Sequence, residues 1–361
     1  MKYGIITHYD VHNHGALLQL NALIKVLNRY HIEAEALQFD KNYDFLGVGL
    51  KSKYNISVRS FGVYSRYLLE HGIKRTLFNL KKKQLLDAFK VREHLTGRYY
   101  TAYPELDAVI IGSDEVFALH TGPTPVFWGH GCPTQKVFSY AGCFGPTTLE
   151  DIKRLHCEAF VRSGLECMVG LGMRDRNSMD IVRKLVTKDP VLVVDPVILY
   201  GYAAEINSFQ PVGLPAYLLV YAYDNHMNTP EEISMIKEYA GKHHLRIVSA
   251  GFYHGWADYN LNADPVALLR YFKYARCVVT DTFHGSVMSI ITHRNVAVKL
   301  RGNANKLQNL LEEYKLTERI IDNVHGLDDI FGKDIDYSSV CDEVSRRRDA
   351  SLDYLNRMIN L

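Results

Sequence analysis

Residues 278–290 read VVTDTFHGSVMSI, which brings Asp281, His284, Gly285 and Ser286 together between two apolar runs of different period. The run at 277–280 is expected to form a parallel strand and a helix to begin at Ser286. Asp281 to Gly285 then sit at the strand's carboxyl end, where open α/β sheets bind ligands. The backbone amides of Gly285 and Ser286 would point outward at the positive end of the helix dipole, which makes an anion site. His284 adds a donor or a proton. The same residues also fit a plainer role, with Asp281 and Ser286 capping the helix and His284 packed in the turn.

Elements that could hold such a site recur along the chain. Residues 3–7 (YGIIT) read as a strand, the loop HYDVHNHG carries His12, Asn13 and Gly15, and 16–27 has helical periodicity. Residues 34–39 supply the next strand. The strand AVII at 108–111 runs into Gly112, Ser113, Asp114 and Glu115. A strand at 137–141 precedes Gly142-Cys143, and Arg174-Asp175 stands before a helix at 179–186. After a strand at 191–194, a stretch with Pro211, Gly213 and Pro215 reads as a linker. The alternation then restarts, with strands at 217–223, 245–250, 277–280 and 296–299 and helices between them. The expectation is an α/β protein with two Rossmann-like, doubly wound domains, 1–205 and 215–330. An insertion or lid is expected at about 41–100, and an amphipathic helix at 338–361 crossing back over the first domain.

Composition narrows the function. A chain of 361 residues is long enough for two cores. Its 42 basic and 40 acidic residues leave a net charge of +2, which gives no reason to expect nucleic acid as a partner. The clusters Lys81-Lys82-Lys83 and Arg346-Arg347-Arg348 read first as solvated helix faces. Six cysteines form no CxxC pair, and no HxE, HExxH or DxD-like set stands out, so no metal site and no cofactor are expected. No signal peptide or run of 18 apolar residues is visible, and the free thiols suit a reducing cytoplasm.

Six blocks, in order between about residues 3 and 320, resemble the polysaccharide pyruvyl transferase family. His12-Asn13-His14-Gly15-Ala16-Leu17-Leu18-Gln19 resembles its NYGAxLQ pattern, and Gly112 to Phe117 is similar to GSDQVW. Ser139 to Gly145 resembles SYAASFG, Arg174-Asp175 with Ser178 resembles VRExxS, and Asp195-Pro196 matches DPT. Thr280 to Gly285 is similar to TDSFHG. The chain departs at Phe117, Glu115 and Cys143, and has Lys306 where the family often has Arg.

The resemblance implies two facing domains as in GT-B glycosyltransferases. It also implies a reaction in which phosphoenolpyruvate, the donor substrate, gives its enolpyruvyl group to two hydroxyls of one sugar, forming a pyruvate ketal and phosphate. The acceptor would be a lipid-linked or nucleotide-linked sugar, for example galactose through its 4- and 6-hydroxyls. A lipid-linked acceptor would place the protein peripherally at the inner face of a membrane. That chemistry needs an anion clamp, an acid and a base. Arg174 is the expected clamp. His284 is the expected phosphate contact and proton donor, with Gly285 and Ser286 beside it. Asp114 is the expected base, with Glu115 next to it and Gly112 and Ser113 in the same turn. Asp281 is expected to orient the His284 loop, and Asn13, His12 and Gly15 to contact donor or acceptor. The competing readings are a GT-B-type glycosyltransferase using a nucleotide sugar and a non-catalytic sugar-binding protein.

Overall fold

The structure is a computed structural model that describes residues 1–40, 60–121, 124–301, 305–322 and 326–361, with the backbone only for 60–71 and 121. Twelve strands fall into two sheets among these residues. The first holds β1 (Lys2–Ile6), β2 (Glu33–Gln38), β3 (Thr96–Tyr99), β4 (Ala108–Ile111), β5 (Val137–Gly142), β6 (Gly170–Met173) and β7 (Val191–Leu192), in the order β3-β2-β1-β4-β5-β6-β7. The second holds β8 (Tyr217–Tyr221), β9 (Arg246–Ala250), β10 (Tyr259–Leu261), β11 (Cys277–Thr280) and β12 (Val296–Val298), in the order β10-β9-β8-β11-β12. Every pairing is parallel. Central strands such as β4 (AVII) and β8 (YLLVY) are buried along their whole length, which explains their continuous apolar runs.

In both sheets the chain winds outward one way, then returns and winds the other way. The order reverses between β1 and β4 in the first sheet and between β8 and β11 in the second. Loops at the carboxyl ends of such neighbouring strands diverge and leave a crevice. The crevice loops are therefore 7–13 and 112–118 in the first lobe, and 222–229 and 281–282 in the second.

Polar residues at the loop ends start the helices. Asn13 caps His14–Arg29, accepting from the amides of Gly15 (2.8 Å) and Ala16 (3.3 Å). Asp175 caps Arg176–Leu185 and Asp264 caps Pro265–Tyr274. Thr229 and Glu232 form a capping box at Pro230–Lys242. Thr282 caps Phe283–Ile291 by accepting from Gly285 N.

The lobes are joined by packing as well as by the chain. The short helix Pro196–Tyr200 buries Val197, Ile198 and Leu199 against His14–Arg29, Phe283–Ile291 and the C-terminal helix Tyr337–Ile359. That last helix lies on the first sheet. Tyr354 donates to Ser139 O (2.8 Å), and Ser351 accepts from Val194 N (3.0 Å).

Of the stretch expected to form a lid, residues 41–59 lie outside the described residues. The helix Ser60–Arg92, broken at Gly72 (φ 74°), and β3 instead build the outward winding of the first sheet. The helix also reaches the second lobe. Asn79 donates to Asp224 (3.1 Å), and Lys82 stands 4.0 Å over the Phe252 ring. Lys82 is thus buried rather than solvated like Lys81 and Lys83, and burial brings its ammonium down to about 8 against the attraction of Asp224.

Candidate active site

Arg174 follows β6 directly and is the centre of the first lobe's carboxyl edge. Its Nη1 donates to Asp195 (3.1 Å), and its Nη2 to Asp114 (3.2 Å) and to Cys143 Sγ (3.1 Å). Its side chain is 2% exposed and that of Asp195 is fully buried. Burial alone would weaken the charge on Arg174, but the Asp114 and Asp195 carboxylates outweigh it and keep the guanidinium protonated. Burial pushes the Cys143 thiol up to about 12 even beside Arg174, so it remains a thiol.

The second lobe meets this cluster through His284 and Lys306. His284 Nε2 lies 3.6 Å from the same Asp195 oxygen that accepts from Arg174. The Phe283 ring lies 4.5 Å beneath the Arg174 guanidinium. Lys306 Nζ donates to Glu115 (2.6 Å), which crosses between the lobes. Burial alone would lower Lys306, but Glu115 and Asp114 raise it. Gly15 lets the lobes close to this distance, because a Cβ there would stand 2.4 Å from the His284 ring.

Arg174 and His284, from different sheets, therefore share one carboxylate. In this cluster Arg174 Nε and His284 Nε2, the latter 3.6 Å from Asp195, are buried with no hydrogen-bond partner. Ser113 Oγ, in the turn next to Asp114, is buried and unpartnered as well. Buried polar groups are paired in the great majority of proteins, so three of this kind in adjoining loops mark a place built for a polar ligand.

Other expected residues sit differently. The last helix of the motif begins at Phe283 rather than Ser286, because the Thr282 hydroxyl already caps it. The amide of Gly285 is held by Thr282 Oγ1 (2.9 Å) and that of Ser286 by Thr282 O (3.2 Å), so neither points outward to an anion. Gly285 is small for a packing reason, since a Cβ would meet Thr280 Oγ1 at 2.1 Å. Gly112 has φ 120° and the Tyr140 carbonyl in its Cβ position, which shapes the turn before Asp114. His12 is on the surface, with Nε2 3.2 Å from Asp87. Asn13 uses its carbonyl oxygen as a helix cap, and its side chain also meets the Tyr223 hydroxyl of the other lobe. Asp281 does not hold the His284 ring. Its carboxylate accepts from Arg301 Nε (2.9 Å) and lies 2.7 Å from His226 Nδ1.

Asp114 is poorly suited to be a base. Burial would raise its carboxyl, but Arg174 and Lys306 hold it far below the usual carboxylate range. A carboxylate so stabilised binds a proton weakly, and its geometry makes it an orienting partner of Arg174.

A model of the family described as polysaccharide pyruvyl transferase matches residues 13–299. The chain belongs to the polysaccharide pyruvyl transferase family. No curated protein matches it significantly in sequence. Among solved structures it is similar to Arabidopsis thaliana UGT89C1 complexed with UDP-L-rhamnose, with 11% identity, TM-score 0.53 and 99% and 98% of the two chains covered. It is also similar to S. aureus MnaA in complex with UDP, with 11% identity, TM-score 0.51 and 99% and 95% covered. A putative UDP-N-acetylglucosamine 2-epimerase from Listeria monocytogenes gives 9% identity, TM-score 0.51 and 96% and 90% covered. These likenesses show the fold, which is GT-B.

Within that fold, the pyruvyl transferase motifs at Asn13, Gly112–Glu115, Arg174, Asp195 and Thr280–Gly285 lie at the facing carboxyl edges of the two sheets. Motif reading passed over Tyr223 and His226, which occupy the remaining crevice loop, and treated Lys306 only as a departure. Their signal was position: polar residues just past the buried run YLLVY.

Proposed function

We propose that this transferase passes the enolpyruvyl group of phosphoenolpyruvate to two hydroxyls of one sugar, giving a pyruvate ketal and phosphate. One observation carries the reading. Arg174 and His284 come from different lobes and meet at Asp195, and two of their nitrogens, Arg174 Nε and the His284 Nε2 that stands 3.6 Å from Asp195, are buried without a hydrogen-bond partner. A small molecule with both a carboxylate and a phosphate can use both nitrogens only where these lobes meet. Lys306 adds a second cation, for which the donor's phosphate competes with Glu115.

In this reading His284 gives a proton to the vinyl carbon, and positive charge develops at C2. A sugar hydroxyl adds to C2, phosphate leaves, and a second hydroxyl closes the ketal. Of the two hydroxyl protons lost, one replaces the proton delivered to the methyl group and the other leaves with phosphate. Asp195 sits where it stabilises the protonated imidazole between turnovers.

The acceptor is proposed to be a hexose, galactose being the example, on a lipid-linked or nucleotide-linked precursor. UDP and a UDP-sugar are bound in two of the solved structures of this fold, which supports a nucleotide link as one form of the acceptor. No helix among the described residues is long and apolar enough to cross a membrane, so a lipid-linked acceptor would be met at the membrane surface.

The test is mass spectrometry of lipid-linked, nucleotide-linked and simple hexosides incubated with the protein and phosphoenolpyruvate. The expected result is an acceptor heavier by one pyruvate ketal, with phosphate released in equal amount. Stabilisation by UDP-sugars with no phosphate release from phosphoenolpyruvate would favour a glycosyltransferase instead.

A further inference from the structure

Asp114 is tied to Arg174 and is not placed to carry the acceptor's hydroxyl proton to the departing phosphate. The second sheet's crevice offers another carrier. His226 lies in the loop after β8, and Asp281 directly follows β11, so the two flank the point where the strand order reverses. His226 Nδ1 lies 2.7 Å from Asp281 Oδ2, and Arg301 Nε donates to the same oxygen at 2.9 Å. Arg301 is itself held by Glu232 (2.8 Å). The Asp281 side chain is fully buried while that of His226 is 31% exposed. The two stand at ion-pair distance without hydrogen-bond geometry, so the buried carboxylate faces the Nδ1 edge of a half-exposed imidazole and Nε2 is the nitrogen on the opposite edge.

The loop carrying His226 is anchored on both lobes. His226 N donates to Tyr223 O (2.8 Å), and His226 O accepts from His254 Nε2 (3.1 Å). Between them, Asp224 accepts from Tyr253 N (2.9 Å) and from Asn79 of the first lobe (3.1 Å). The Tyr223 ring meets the His226 ring edge-on at 5.4 Å. Tyr223 is 41% exposed although its hydroxyl meets Asn13, and it lies within the fields of Lys306, Asp114 and Glu115. An exposed aromatic face beside a charged cluster is a surface on which a sugar ring can stack.

We propose that His226, oriented by Asp281, is the base that takes the acceptor hydroxyl's proton, and that Tyr223 is the wall against which the acceptor sugar lies. This rests on the pyruvyl transfer reading. As the O–H bond breaks, its proton moves to His226 Nε2 and its electron pair forms the bond to C2. The C2=C3 pair takes a proton from His284. The C2–O bond to phosphate then breaks, and phosphate leaves with its electron pair and the proton that His226 gives up, while the second hydroxyl forms the remaining bond to C2 and its proton restores His284. Asp281 is a positioning residue in this scheme.

The experiment compares wild type, His226→Ala, His226→Gln, Asp281→Asn, Tyr223→Ala and Tyr223→Phe, using the acceptor found in the mass-spectrometric screen. Phosphoenolpyruvate binding is measured by calorimetry alongside turnover. Both His226 variants should lose about 10²–10⁴-fold in kcat while binding phosphoenolpyruvate within about twofold of wild type, and imidazole should restore part of the rate in His226→Ala. Asp281→Asn should lose a smaller factor in kcat. Tyr223→Ala should raise the acceptor's KM about tenfold, and Tyr223→Phe should leave it nearly unchanged. A kcat within about threefold of wild type in both His226 variants removes the base and leaves the transfer reading standing. A matching loss of phosphoenolpyruvate affinity would put the loop in the donor's seat and also overturn the assignment. A wild-type protein that neither binds phosphoenolpyruvate nor modifies any acceptor in the screen overturns the transfer reading and the base together.

Discussion

The two crevices that face each other across the cleft are built in opposite ways. On the first sheet, Arg174 is 2% exposed, shares its guanidinium between two carboxylates and touches a buried thiol. On the second, Tyr223 is exposed and His226 half-exposed, and Asp281, whose side chain is fully buried, stands behind the imidazole. The first crevice is locked by charge, and the second is open and aromatic. The difference matches the two partners in the proposed transfer. A small multiply charged donor needs fixed donors in a dry place, whereas a neutral ring needs a face to rest on and one well-aimed base.

Breaking the lock should have the largest effect. Arg174→Met leaves the fully buried Asp195 without its arginine partner and should cost about 3–5 kcal/mol in denaturant unfolding. Tyr223→Ala in the open crevice should change stability by less than about 1 kcal/mol. Equal losses at the two positions would erase the contrast.

Gly15→Ala tests how closely the crevices must approach. The added methyl would stand 2.4 Å from the His284 ring, so the ring or the lobe must move. We expect about 1–3 kcal/mol of lost stability and about a 10²-fold loss of turnover. Wild-type turnover in Gly15→Ala would mean that His284 needs no fixed place.

His14 joins the lobes beside the cleft, with Nε2 on Ala263 O (3.0 Å). Burial, with the Lys82 charge beside it, brings its imidazole from 6.5 down to about 3. The unfolded chain therefore takes up a proton as pH falls below 6.5 while the folded chain does not. Stability should fall across the window from 6.5 to about 3, by about 1–2 kcal/mol between pH 6.5 and 5. The drop should be absent in His14→Gln, and a drop of the same size in that variant would assign it to other groups.

A titration of opposite sign is expected at Glu313, behind the locked crevice. Burial pushes its carboxyl up to about 7 despite Arg347 at 3.3 Å. Here the folded state holds the proton longer than the unfolded one, so wild type loses stability as pH rises from 4.5 to about 7. Glu313→Gln has no such loss and should gain on wild type by about 2–3 kcal/mol across that window. A difference that does not change with pH would show that the carboxyl titrates normally.

The same contrast explains what could be read in the sequence. The locked crevice is made of residues adjacent to strand ends, and AVII before Gly112–Glu115 or CVVT before Asp281–Gly285 shows such ends plainly. Arg174 and His284 were legible for that reason. Their meeting on Asp195 was not, because it depends on how β6, the end of β7 and a helix of the other lobe approach in space. The open crevice was nearly silent. Tyr223 and His226 match no motif, and the orientation of Asp281 depends on Arg301, which lies across the sheet edge on the loop after β12. The edge strands Thr96–Tyr99 and Tyr259–Leu261 were missed because they are short and half-exposed and so lack an apolar run. Lys82 is buried within a triplet of lysines because one helix position faces the other lobe while its neighbours face water.

The central claim is that one lobe's guanidinium and the other lobe's imidazole hold the donor jointly. It is tested most directly by titrating phosphoenolpyruvate into wild type, Arg174→Lys and His284→Ala in a calorimeter. The account predicts saturable binding to wild type and at least about tenfold weaker binding to each variant, in keeping with the loss of a hydrogen bond to a charged group. Binding of equal strength in all three proteins would contradict it.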